Sequence, residues 1–209
     1  IDPVSVLLAL FAFGGLVYGL SGFGDLARGE ALIHPLIPLS VGIAALTLFI
    51  WRQVILQRED RALLDLRTFS YPVFALSNIL FLVIMMSMFG MIILLPIIAQ
   101  NVMLLDPLQT GLIMLPGGLI MGLMGPLVGR AYDRFGPKPI MVPGSIFLVI
   151  ALWAMVYLRA ETPIAYVVLA HILMSVGLSL MMTPLFTMSL GALPKHLYAY
   201  GSATISTEI

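Results

Sequence analysis

Eleven residues, GRAYDRFGPKP from Gly129 to Pro139, hold Arg130, Asp133, Arg134 and Lys138 between two long runs that carry no charge. The three cations can meet anionic lipid headgroups. The carboxylate answers to other chemistry, because at a helix end it is best stabilised by a neighbouring helix's N-terminus or by a fixed cation. Asp133 therefore reads as a latch that docks on an adjacent helix in one conformation and releases it in another. Gly136 and Pro137 make the tight reversal beside it.

The second ionisable candidate is His171, with Ser175 and Ser179 at i+4 and i+8 on one helix face. Two readings fit this stripe: a cavity wall or proton relay, and a packing histidine bonded to hydroxyls. Asn78 and Ser87, and Thr183 and Thr187, pose the same choice, since helical polar groups also bond local carbonyls. Met85, Met86, Met88 and Met91 suit an adaptable apolar pocket, or lipid-facing packing.

Several chemistries fall away. No Asp, Glu, Lys or Arg lies deep in an apolar run, so a membrane-buried acid, the default proton carrier, is expected outside these residues. His34, His171 and His196 lack metal-ligand spacing, and the absence of cysteine removes disulfides and thiolate sites. There is no Walker-type loop for ATP, no catalytic constellation, and too few clustered cations for nucleic acid. The chain reads as a non-enzyme that needs no cofactor.

What must position these residues is lipid. Of 209 residues, 61% are hydrophobic and 10% charged, with a mean hydropathy of +1.10; soluble domains carry about 25% charge. Six charge-free runs, 3–24, 31–51, 68–105, 107–129, 139–158 and 162–194, are each long enough to cross a bilayer as helix. A span in lipid must satisfy its own backbone, and the dyad alternation of barrel strands is absent. The fold class is all-α, a polytopic transmembrane bundle with spans near 4–23, 36–55, 74–99, 108–129, 140–158 and 164–191.

Cations orient it. Arg52, Arg58, Arg61 and Arg67, then Arg130, Arg134 and Lys138, then Lys195, all follow even-numbered spans; only Arg28 and Arg159 lie opposite. The positive-inside bias puts that side and both ends of the chain in the cytoplasm, within the inner membrane. The segment LQREDRALLDLRTF, Leu56 to Phe69, is amphipathic and suits either the interface or a solvated loop with leucine anchors. Ile1 is not an initiator methionine and the first run lacks a basic leader, so it reads as a span in a chain that begins mid-protein.

Two further features suggest movement. Pro96, Pro116, Pro126, Pro143 and Pro184 fall inside spans, where neighbours or cavities can take up the freed backbone groups. Gly111, Gly118, Gly122, Gly125 and Gly129 lie within about 60° of one another at 100° per residue. This groove implies close approach by a partner helix, in static packing or in a sliding interface.

The eleven residues also carry a resemblance. Gly129, Asp133, Arg134, Gly136 and Lys138 fall on the G-x-x-x-D-R-x-G-x-[KR] signature of major facilitator superfamily loops. Together with LQTGLIMLPGGLIMGLMGPLVGRAYDRFGPKP, ALLDLRTF and GLSLMMTPLFTMSLGALP, the chain resembles fourteen-helix drug:proton antiporters of the EmrB/QacA type along essentially its whole length. The resemblance implies an incomplete major facilitator fold. Residues 1–70 would be the extra central helix pair with a cytoplasmic linker, and 71–209 the first four helices of the C-terminal half. The N-terminal half and the last two helices would be missing partners. Lipophilic compounds and protons would pass between the halves near the bilayer midplane, by rocking of the halves. The rival reading is a truncated, non-transporting membrane module that binds partner helices for assembly or regulation.

Overall fold

A computed structural model of the chain describes residues 2–29, 33–59 and 62–207. Among these residues there is no strand, and six helices are long and apolar enough to cross a membrane. They are α1 (Pro3–Arg28), α2 (Leu36–Leu56), α3 (Pro72–Ile97), α4 (Pro107–Phe135), α5 (Lys138–Val156) and α6 (Ile164–Gly191), with a short α7 (Tyr198–Ser206) after them. Contacts divide the chain into two units, one of residues 1–70 and 195–204, the other of 71–194 and 205–209.

The first unit is built on close helix approach. Pro3 opens α1 and the Asp2 side chain caps it through the Ser5 amide. Small residues then let the α1 and α2 backbones meet: a Cβ on Gly15 would lie 2.7 Å from the Gly42 Cα, and one on Gly19 would lie 2.7 Å from the Leu39 nitrogen. Among its described residues the amphipathic linker forms no continuous helix. Single 3₁₀ turns occupy Gln57–Glu59 and Leu66–Ser70, and Ala62, Asp65 and Thr68 are buried. Arg61 of that segment lies outside the described residues.

In the second unit α6 is the hub. It packs against α3, α4 and α5, and half of its most apolar window is buried, against 17% to 28% for the other spans. Gly144 and Gly177 set the α5–α6 crossing, since a Cβ on Gly177 would lie 2.8 Å from the Leu148 nitrogen. The Tyr166 hydroxyl donates to the Ala154 carbonyl at 2.9 Å near the other end of that pair.

All five internal prolines lie inside helices. After Pro96, which can neither donate nor fit the preceding carbonyl, the chain widens into a π-helical turn over Ile98–Val102. The largest departure from the expected boundaries is at α4, which runs to Phe135 instead of ending near 129. Nothing from Arg130 to Phe135 breaks a helix. Gly136 does, at φ 76° and ψ −177°, a backbone conformation that only glycine adopts without strain.

Candidate functional site

Most of the charged signature is therefore helical, and only Gly136 and Pro137 form the turn before α5. Arg130, Asp133, Arg134 and Lys138 are all exposed. The Arg134 guanidinium stands over the Phe135 ring, 5.1 Å from its centroid. Asp133 lies in the last turn of α4, where the helix dipole is negative and disfavours a carboxylate. Among the described residues no ion pair joins Asp133 to Arg130, Arg134 or Lys138.

The glycines of α4 sort differently from expectation. A Cβ on Gly111, Gly118, Gly122, Gly125 or Gly129 would meet nothing within 4 Å, so the described residues put no partner on the five-glycine face. The glycine that packs is Gly117, which the periodicity passed over. Its Cβ would lie 2.5 Å from the His171 Cδ2 and 2.6 Å from the Ser175 Oγ. Helical phase picks out a stripe, but only the neighbouring helix decides which stripe is buried.

His171, Ser175 and Ser179 form the expected single stripe, and all three are buried. The Ser175 hydroxyl donates to the His171 carbonyl at 3.0 Å, and Ser179 to the Ser175 carbonyl at 2.8 Å. The imidazole lies against the α4 backbone at Gly117. Its Nδ1 is buried without a hydrogen-bond partner among the described residues. Within this chain the stripe lies in a seam between α4 and α6.

Asn78 is sealed in the same way between α3 and α6. Its Nδ2 donates to the Phe74 carbonyl at 2.8 Å and, at 3.4 Å, to the Ser189 hydroxyl, while Oδ1 has no partner. Thr183 and Thr187, by contrast, line a depression of about 330 Å³ with Phe81, Met182 and Phe186. Of the methionine cluster, Met85 and Met91 are buried and Met86 is exposed.

Sequence reasoning missed a polar clamp in the first unit. Arg52 grips Asp2 with Nε at 2.6 Å and Nη2 at 3.1 Å, and the Ser5 hydroxyl donates to the same carboxylate at 2.6 Å. Arg52, then Ser5, hold the Asp2 carboxyl well below the ordinary aspartate value. The neighbouring Gln53 is fully buried. Its Nε2 donates to Ser5 at 2.9 Å, and its Oε1 accepts from the Leu63 and Leu64 amides at 2.7 and 3.0 Å. The linker it holds contains Asp65, which takes the main-chain N–H, Nε and Nη2 of Arg67. Burial raises the Asp65 pKa, but the Arg67 bonds outweigh it and the net direction is down. A glutamine at the end of an apolar span was the available signal.

Comparison with known proteins follows the same lines. The sequence profile of the Major Facilitator Superfamily matches residues 3–207. The lincomycin resistance protein LmrB of Listeria monocytogenes is 37% identical over 207 residues, which is 99% of this chain and 43% of that protein. LmrB of Bacillus subtilis is 32% identical over the same shares, and a multidrug resistance protein B homolog of Mycobacterium tuberculosis is 30% identical over 212 residues, 38% of its length. The chain thus spans about two fifths of the length of these relatives. No solved structure matches.

Proposed function

Because the chain belongs to the major facilitator superfamily, a family of membrane transporters and not enzymes, we propose that it is part of a proton-coupled exporter of small lipophilic compounds. Its relatives' names, lincomycin resistance and multidrug resistance, support the drug class. In this reading residues 1–70 are the central helix pair and 71–209 open the C-terminal half. The helices outside these residues supply the other cavity wall and the coupling carboxylate. They also cover the five-glycine face of α4, and the halves rock about substrate at the midplane of the inner membrane, with the cation-rich ends in the cytoplasm.

The observation that carries this reading is Asp133: an exposed carboxylate at the unfavourable end of α4, unpaired amid three cations. Such a group gains most when a partner helix presents an N-terminus or a guanidinium to it. Docking in one state and release in the other makes it a latch for alternating access.

The test is Asp133→Asn in the intact transporter, reconstituted with an imposed proton gradient and a fluorescent dye. Loss of a charge-assisted bond of about 1.5–3 kcal/mol predicts a shift in conformational populations of roughly tenfold or more and a matching loss of efflux. Unchanged efflux with unchanged populations would sink the latch.

A further inference from the structure

We infer that the His171 Nδ1 is a proton-binding site whose occupation is incompatible with closed packing of α4 on α6, so that acid parts this seam. The inference concerns one helix pair and does not require that transport be driven by protons.

The geometry leaves the ring one comfortable charge state. His171 is 8% exposed. The ring faces the α4 backbone at Gly117, and its Nδ1 has no partner among the described residues. The Ser175 hydroxyl, the nearest polar side chain on the stripe, already gives its hydrogen to the His171 carbonyl at 3.0 Å. Adding a proton to Nδ1 creates a buried N–H without an acceptor and places a full charge in an apolar seam.

No neighbouring charge offsets that. There is no Asp, Glu, Lys or Arg from Pro107 to Gly129 on α4, from Pro139 to Val156 on α5, from Pro72 to Ile97 on α3, or on α6 itself. Asp106, the α4 cap, lies eight residues before Met114, about 12 Å along the helix. Arg159 and Glu161 precede α6. Tyr166, the titratable neighbour on α6, is bonded to the Ala154 carbonyl. Gly117 approaches the ring so closely that a methyl there would lie 2.6 Å from Nε2.

The seam also has a place to give. Pro116, next to Gly117, removes the helical bond to the Leu112 carbonyl, so α4 lacks a backbone bond in the turn that holds the ring. A proton taken up only in the parted state raises that state's population as pH falls, by ordinary linkage. An imidazole titrates near pH 6.5 in water, which puts the change within reach of physiological pH.

The chain has no cysteine, so Leu108→Cys on α4 and Leu169→Cys on α6, both exposed, can carry a spin-label pair in the full chain in lipid nanodiscs. Pulsed electron resonance should give one distance at pH 8 and a second, longer population at pH 5. His171→Gln should keep the single short distance at both values, and Gly117→Ala should show the longer population already at pH 8. Nitrogen-15 spectra of labelled histidine in the unmutated chain should show His171 Nδ1 bare at pH 8 and protonated at pH 5. These spectra decide the matter if His171→Gln fails to insert. A distance unchanged between pH 8 and pH 5, a long population that persists in His171→Gln, or a ring that stays neutral throughout overturns the proposal.

Discussion

The α1–α2 clamp and the α4–α6 seam both bury polar side chains among apolar helices, and they resolve the problem in opposite ways. In the clamp, Gln53 uses both ends of its amide, Ser5 donates to Asp2, and Arg52 takes both oxygens of the same carboxylate. In the seam, the His171 Nδ1 has no partner among the described residues, and neither has the Asn78 Oδ1 where α3 packs on α6. A fully connected polar network specifies one arrangement, whereas a partly connected one can be relieved by movement. On the proposal above, the clamp holds and the seam yields.

Gln53→Ala gives the largest effect and tests the first half of that contrast. It strips the acceptor from two linker amides and the partner from Ser5. Each of the two orphaned amides costs about 1–3 kcal/mol, so the linker should lose about 2–6 kcal/mol of local stability. Limited trypsin digestion at the linker arginines should speed up about thirtyfold for 2 kcal/mol. An unchanged cleavage rate would mean that the linker is held by something other than Gln53.

Gly117 and Gly118 break or sharpen the second half, one residue apart. Alanine at Gly117 must displace His171 or Ser175, and overpacking costs about 1–3 kcal/mol. Alanine at Gly118 meets nothing and gains the helix propensity of about 1 kcal/mol that glycine forgoes. Thermal unfolding in detergent should therefore move down for Gly117→Ala and stay level or rise for Gly118→Ala. If the intact transporter reverses the second result, a helix from outside these residues covers the open face.

The same pair shows how far the amino-acid sequence could be read. Spans follow from apolar length and charge exclusion, which are local; the boundaries lie close to expectation except at the ends of α1, which runs on to Arg28, and α4, which runs on because Arg130 to Phe135 carry no breaker before Gly136. The signature, the prolines and the His171 stripe were legible for the same reason. The pairing of Gln53 with Leu63, and the choice of Gly117 over its neighbour, were not. Both depend on which helix face meets which partner, and a period of 3.6 residues says only what shares a face.

Acid should separate the two regions at the smallest scale. The Asp65 carboxyl is held below its ordinary value of 3.8 in the folded chain, against its burial, by Arg67. The folded state thus binds that proton less readily than the unfolded state, so the stabilisation is fully present above the ordinary value and is lost as pH falls below it. With Arg67 half exposed, the loss should be roughly 1 kcal/mol. The seam should respond nearer the imidazole range instead, at pH values where Asp65 stays ionised. Trypsin digestion of the linker followed from pH 8 to 5 should therefore be flat once corrected for the protease's own profile, while the α4–α6 distance changes. Unfolding below pH 4 should soften in the native chain and not in Asp65→Asn. Should the linker loosen together with the seam near pH 6, the clamp is not the rigid partner in this comparison, and protonation acts on both regions through a shared cause.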